Sequence, residues 1–289
     1  PSKRSKPSKE QIIRQAFYFH SQGNISEAER YYQYFINQGF KDYRVFTNYG
    51  VILKNLGKLE EAELSYRKAI EIKPDYADAH YNLGNKFKDD GKLKEAEFSY
   101  RKAIEIKPDY AMAHSNLGNI LKDLDKLEEA ELSYRKAIGI KPNYAEAHSN
   151  LGGILSSLGN LQEAELSLRK AIEIKPDYAM AHSNLGGILS SLGNLQEAEL
   201  YTRRAIEINP SLADSHSNLG TILIALGKLD EALLCFQMAI DIDKNLENAL
   251  EGIGKVLLKK GNHSDGIIKL REAVGSIGFN PKKASITIN

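Results

Sequence analysis

The chain is poor in cysteine, in net charge and in long apolar runs, and each shortage excludes something. Cys235 is the only cysteine among 289 residues, so no internal disulfide can form. One thiol in a chain of this length fits a reducing cytoplasm. Lys plus Arg number 39 and Asp plus Glu 38, a net charge of +1, which excludes the strong basic excess of a nucleic-acid binder. No apolar run approaches the roughly 20 residues that cross a bilayer, and none is expected to meet a membrane. The N-terminal PSKRSKPSKE has no apolar core of a signal peptide and no initiator Met. Residues 1–8 therefore read as a flexible basic tail, and the chain as a fragment. Metal-hydrolase, phosphate-loop and nucleophile-elbow motifs are also missing, so the sequence reads as no enzyme, with no cofactor and no metal. The N-x-S sequons at Asn24 and Asn262 matter only in a secretory pathway.

What the chain has instead is a period. The segment AHSNLGGILSSLGNLQEAEL at 147–166 recurs letter for letter at 181–200, an offset of 34 residues. The same step links Ala28, Ala62, Ala96, Ala130, Ala164, Ala198 and Ala232, then Gly266. Twelve residues earlier stand Ala16, then Gly50, Gly84, Gly118, Gly152, Gly186, Gly220 and Gly254. Eight repeats, 9–42, 43–76, 77–110, 111–144, 145–178, 179–212, 213–246 and 247–280, tile the chain without insertion or deletion. Residues 281–289, ending in the alternating ITIN, fit no repeat and read as a tail or as the start of a further domain.

Each repeat reads as two helices. Leu151, Ile154, Leu155 and Leu158 fall at helical spacing, and Gly159 suits the left-handed residue that ends a helix. Leu161, Ala164, Leu168, Ala171 and Ile172 line one face of the second helix, which must stop before Pro176. Asp177 is the expected N-cap of the next helix. Glu–Arg pairs at 63/67, 97/101, 131/135, 165/169 and 199/203 support helicity at about 0.2–0.5 kcal/mol each. One helix pair cannot bury its own apolar face, but stacked pairs can, which makes a solenoid.

The period and the residues at fixed positions resemble the tetratricopeptide repeat. The third repeat supplies His80 at the bulky position 4, Leu83-Gly84 at 7 and 8, Phe87 at 11, Ala96 at 20, Tyr100 at 24, Ala103 at 27 and Pro108 at 32. The ends depart from the pattern, with Gln15-Ala16 for Leu-Gly and with Phe40, Lys244 and Gly278 at the Pro position, as capping repeats do. The resemblance implies an all-α fold, a right-handed superhelix of antiparallel helix pairs, whose first helices line a concave groove that holds a protein or peptide partner. Within the family, ADAH and AHSNLG resemble the repeat arrays of O-linked N-acetylglucosamine transferases. There an asparagine ladder holds substrate polypeptides by their backbone.

Position 6 carries six consecutive asparagines, Asn48, Asn82, Asn116, Asn150, Asn184 and Asn218. Helix propensity does not favour Asn there. Its amide offers donors and an acceptor, which match a peptide backbone. Helices packed about 8–10 Å apart would place one Asn near every third residue of a strand that advances about 3.3 Å per residue. The same asparagines could instead pack adjacent helices. Position 12 gives Lys54, Lys88 and Lys122, then Ser156 and Ser190. Position 9 gives Asn85 and Asn119, then Gly153 and Gly187. The groove should be cationic and amide-rich in repeats 2–4 and small and neutral in repeats 5 and 6. An acidic ligand segment, or merely a solvated lysine face, would account for the first half.

Other features read as structural. His80, His114, His148, His182 and His216 all occupy position 4, too far apart to converge on one metal ion. Cys235 stands where Ser65, Ser99, Ser133 and Ser167 stand in other repeats. Phe17, Phe19, Tyr31, Tyr32, Tyr34 and Phe35 either close the end of the core or mark a partner surface. Function then reads as a protein–protein interaction scaffold, with self-association through the array ends as a further expectation. The alternative is the substrate-targeting arm of a larger enzyme, such as a glycosyltransferase, whose catalytic domain is not in this chain.

Overall fold

The computed structural model describes residues 7–274, 277–280 and 285–288. The chain divides into two compact bodies, Pro1–Pro142 and Asn143–Asn289. The first contains α1 (Lys9–Ser21), α2 (Ile25–Asn37), α3 (Tyr43–Asn55), α4 (Leu59–Ile72), α5 (Ala77–Asp89), α6 (Leu93–Ile106), α7 (Ala111–Asp123) and α8 (Leu127–Ile140). The second contains α9 (Ala145–Ser157), α10 (Leu161–Ile174), α11 (Ala179–Ser191), α12 (Leu195–Ile208), α13 (Ala213–Ala225), α14 (Leu229–Ile242), α15 (Glu247–Lys259) and α16 (His263–Val274). Two short strands follow, β1 (Ile277–Asn280) and β2 (Ser285–Ile288), paired antiparallel with Ile277 opposite Ile288. The eighth repeat thus leaves the helical pattern after Val274, and Gly278, at its Pro position, lies in a strand.

The fold is an all-α solenoid of helix pairs. Within each body the two helices of a repeat pack on each other, and the second packs on the first helix of the next repeat. First helices also touch, α3 with α5 in one body, and α9, α11, α13 and α15 in series in the other. Small residues permit these approaches. The alanines at positions 20 and 27, such as Ala96, Ala103, Ala164 and Ala171, are fully buried. At the position-8 glycines there is no room for even a methyl. A Cβ on Gly84 would lie 2.8 Å from the Tyr100 ring, and one on Gly152 2.6 Å from Leu168 Cγ.

Helix ends follow local chemistry. Gly159 takes φ +81°, its N–H donates to the Ser156 carbonyl at 3.0 Å, and the Asn160 N–H donates to the Leu155 carbonyl at 2.8 Å. This is the Schellman closure, which satisfies two terminal carbonyls. Asp125 holds the same place in the fourth repeat at φ +58°, a conformation that Asp tolerates better than most residues. The sequon residues Asn24 and Asn262 act as caps, accepting from the Glu27 and Asp265 N–H groups.

One expected cap is corrected. The N-cap of α11 is Tyr178, with no side-chain cap bond, and not Asp177. The Tyr178 N–H donates to the Lys175 carbonyl at 3.1 Å, so Asp177 is enclosed in a turn and the helix starts one residue later. A different clasp serves instead. His182 Nε2 donates to the Pro176 carbonyl at 2.8 Å, and His80, His114 and His216 repeat the bond to Pro74, Pro108 and Pro210 at 2.9 Å. A carbonyl only accepts, so the proton sits on Nε2. The position-4 histidines therefore tie α5, α7, α11 and α13 to the turns before them.

Candidate functional site

The six asparagines of position 6 all lie half-buried on first helices, but their amides meet different surroundings in the two bodies. In Pro1–Pro142, Asn116 has inward partners. Asn116 Nδ2 donates to Asn85 Oδ1 at 2.9 Å and to the Tyr81 hydroxyl at 3.2 Å. The same Asn85 Oδ1 accepts from the Tyr100 hydroxyl at 2.7 Å. Asn119 Oδ1 likewise accepts from the Tyr134 hydroxyl at 2.7 Å. The Tyr32 hydroxyl meets His20 Nδ1 at 3.1 Å. Tyr100 and Tyr134 are fully buried, and burial pushes their phenols up from the ordinary value, so they remain neutral donors. The position-9 amides of Asn85 and Asn119 are thus held by tyrosines from position 24 of their own repeats.

In repeats 5 and 6 of Asn143–Asn289 the corresponding places are open. Gly153 and Gly187 stand at position 9, and Leu168 and Thr202 stand at position 24. A cavity of about 470 Å³ results, lined by Gly153, Leu168, Asn184, Gly187 and Asn218 together with several serines. A Cβ built on Gly153 or Gly187 meets no atom within 4 Å, so packing requires neither glycine. The neighbouring Gly152 and Gly186 are required, because a Cβ there would collide with Leu168 and Thr202. Asn184 and Asn218 therefore project into a concave, uncharged space, which fits the small and neutral character expected of repeats 5 and 6. Asn82 and Asn150 are half-buried on α5 and α9.

The lysine stripe is not a simple cationic surface. Lys54 Nζ lies 2.7 Å from Asp89, and Lys122 Nζ 3.7 Å from Asp123. Asp89 and Asp123 stand at position 13, immediately after Lys88 and Lys122, and offset the charge that position 12 alone suggests. A different lysine was missed. Lys86 stands at position 10, where Ile52 and Ile120 fill the core, and it is 4% exposed. Its ammonium reaches Glu63 at 2.7 Å and Asp90 at 2.6 Å. Among repeats 2 to 7 it is the one residue other than isoleucine at position 10, and that was the available signal.

The Glu–Arg pairs also extend beyond their own helices. Arg101 bonds Glu97 and, in the next repeat, Glu129 at 2.6 Å, while Lys126 returns to Glu97 at 2.9 Å. Arg203, Glu199, Glu231 and Lys228 repeat the network in the second body. Burial opposes ionisation of Glu97 and Glu199, but hydrogen bonds from Lys126 and Arg101, and from Lys228 and Arg203, hold both carboxyls below the ordinary range. Beside these networks a Leu or Phe at position 22 is exposed in every repeat from the second to the seventh, including Leu64, Phe98 and Leu132 in one body and Leu166, Leu200 and Leu234 in the other.

The remaining candidates are structural. Cys235 is half-buried and burial raises its thiol, which disfavours the nucleophilic thiolate. Tyr32 and Phe35 are fully buried, Phe17 packs on Tyr32, and Phe19 stacks on Tyr31 at 5.4 Å. Tyr32 and Phe35 thus belong to the core at the end of the array. No described helix is long and apolar enough to cross a membrane.

Comparison with known proteins agrees with this architecture. A family model described as TPR repeat matches residues 50–91, 84–125 and 118–159. Two models described as tetratricopeptide repeat match residues 145–178 and 179–245. Together they span well over half of the chain. No curated protein matches it. Among solved structures, YrrB, described as a TPR protein with an unusual peptide-binding site, is 27% identical, with 64% of this chain and 95% of that one covered and a TM-score of 0.53. MamA is 26% identical, with 56% and 94% covered and a TM-score of 0.52. A tetratricopeptide repeat protein from Parabacteroides merdae ATCC 43184 is 20% identical, covers 86% and 98%, and has a TM-score of 0.62.

Proposed function

We propose, from the premise that the chain belongs to the tetratricopeptide repeat family, that it is a protein-interaction scaffold that binds an extended polypeptide along its first helices. Repeats of this family are generally non-catalytic scaffolds, and the similar YrrB is described as having a peptide-binding site. The observation that carries the proposal is the pair of amides, Asn184 and Asn218, that line an uncharged cavity. Each can donate to a main-chain carbonyl and accept from a main-chain N–H, which suits a ligand held by its backbone whatever its sequence. Asn116 supports the same ladder less directly, since its amide already has internal partners. Lys54 and Lys122 would bias the ligand toward carboxylates only by exchange with Asp89 and Asp123.

The test is direct. A pool of unstructured peptides of random sequence is bound to the full chain and to Asn184→Ala/Asn218→Ala. Two backbone hydrogen bonds at about 0.5–1.5 kcal/mol each predict a loss of roughly 5- to 150-fold. Unchanged binding by a variant that keeps its helicity would refute the amide clamp.

A further inference from the structure

The cavity in Asn143–Asn289 has a definite origin. In repeats 3 and 4, positions 9 and 24 are filled as a bonded pair, Asn85 with Tyr100 and Asn119 with Tyr134. In repeats 5 and 6 both members of the pair are replaced together, by Gly153 with Leu168 and by Gly187 with Thr202. Replacing only the tyrosine would leave an amide over a gap. Replacing both removes a phenol and its acceptor from one place.

The loss also changes the next helix. Asn116 donates to the Asn85 carboxamide oxygen. Asn184 stands in the same relation to Gly153, and Asn218 to Gly187, where no side chain can accept. Both amides line the cavity beside the apolar surfaces of Leu168, Ile188 and Ile222. The rest of its wall is glycine, serine and threonine, with no ionised side chain. At about 470 Å³ it falls in the range of sites that enclose a ligand.

We infer that this cavity receives a tyrosine side chain of the bound polypeptide, whose phenol takes the place vacated by the position-9 and position-24 pair. The inference rests on the scaffold reading and names the side chain that the ligand presents. The ring covers Leu168, Ile188 and Ile222, and the phenolic oxygen accepts from the Asn184 or Asn218 amide. Tyrosine suits such a site because it joins an apolar body to a polar tip. Phenylalanine would dehydrate the amides without giving them a partner. A charged side chain would find no counter-ion. A carboxamide would leave the apolar wall against a polar group.

The experiment uses the full chain and an unstructured Ala/Ser/Gly peptide carrying one variable residue, Tyr, Phe, Lys or Ala. It is paired with N-acetyl-L-tyrosinamide as the minimal probe, followed at the side-chain amide NMR signals of Asn184 and Asn218. The Tyr peptide should bind about tenfold more tightly than the Phe, Lys and Ala peptides. Gly153→Asn/Gly187→Asn fills the space without collision, since a Cβ at either site meets nothing within 4 Å. It should fold normally, weaken all four peptides because the new carboxamides engage Asn184 and Asn218 as Asn85 engages Asn116, and lose the preference for Tyr. Equal affinity for the four peptides, or a Tyr preference that survives in the filled variant, would overturn the inference while leaving the scaffold reading intact. If no peptide binds, the scaffold reading fails and the minimal probe decides alone. Amide shifts that the filled variant abolishes support the tyrosine site, and their absence refutes it.

Discussion

The bodies Pro1–Pro142 and Asn143–Asn289 repeat one 34-residue pattern, yet they fill its interior differently. The first places buried tyrosines at position 24 and lets Tyr100 and Tyr134 bond to asparagines at position 9. The second has Leu168 and Thr202 with Gly153 and Gly187, and a cavity between them. Both retain the alanines of positions 20 and 27 and the ionic networks between second helices. The stack therefore depends on small residues and on ionic links common to both bodies, while the inner face varies as coupled pairs. A binding surface can change in this way without disturbing the helix spacing.

The largest expected effect comes from moving the second body's pair into the first. Asn85→Gly/Tyr100→Leu should destabilise the chain by about 3 kcal/mol. The change adds a cavity to a buried site and removes the acceptor of Asn116. Urea unfolding reads the total, and hydrogen exchange should place the loss in α5 to α7. A change below about 1 kcal/mol would mean that the tyrosine pairing contributes little to the first body.

Adjacent glycines give a smaller effect of opposite signs. Gly152→Ala should destabilise by about 1–3 kcal/mol, because its Cβ must displace Leu168. Gly153→Ala should stabilise by up to about 1 kcal/mol, since it meets open space and relieves a mid-helix glycine. Thermal unfolding of the two variants decides this, and equal signs would contradict the separation of packing glycine from cavity glycine.

The smallest difference between the bodies should appear with pH. Glu97 in one body and Glu199 in the other have carboxyls held below the ordinary range. Their contribution to stability is complete above the unfolded value near about 4.3 and is lost as pH falls through the lower folded value. The urea midpoint should fall progressively below about pH 4.3. Glu97→Gln and Glu199→Gln should each flatten that decline by a similar amount. A response confined to one variant would show that the two networks are not equivalent.

Much of the helical architecture was legible because its causes are local. The step of 34 residues, the left-handed Gly159 and the stop before Pro176 all act within a turn or two of chain. Where local reading failed, a nearby competitor was decisive. Asp177 resembles a cap, but the Tyr178 N–H reaches back to Lys175 and encloses it in a turn. Lys54 and Lys122 read as a cationic stripe until Asp89 and Asp123 meet them. Lys86 sits in a core position because Glu63, twenty-three residues earlier, reaches its ammonium.

The sequence by itself determined the number of helices in the array, their approximate ends and the six-asparagine row, since periodicity, glycine and proline act over a few residues. Only the tertiary structure decided which of those asparagines are engaged. Asn116 finds its acceptor 31 residues away on the preceding first helix, and Tyr100 finds Asn85 across 15 residues within its repeat. Such partners are chosen by the stacking of one helix pair on the next, and the same stacking leaves Asn184 and Asn218 facing open space where the acceptor has become glycine.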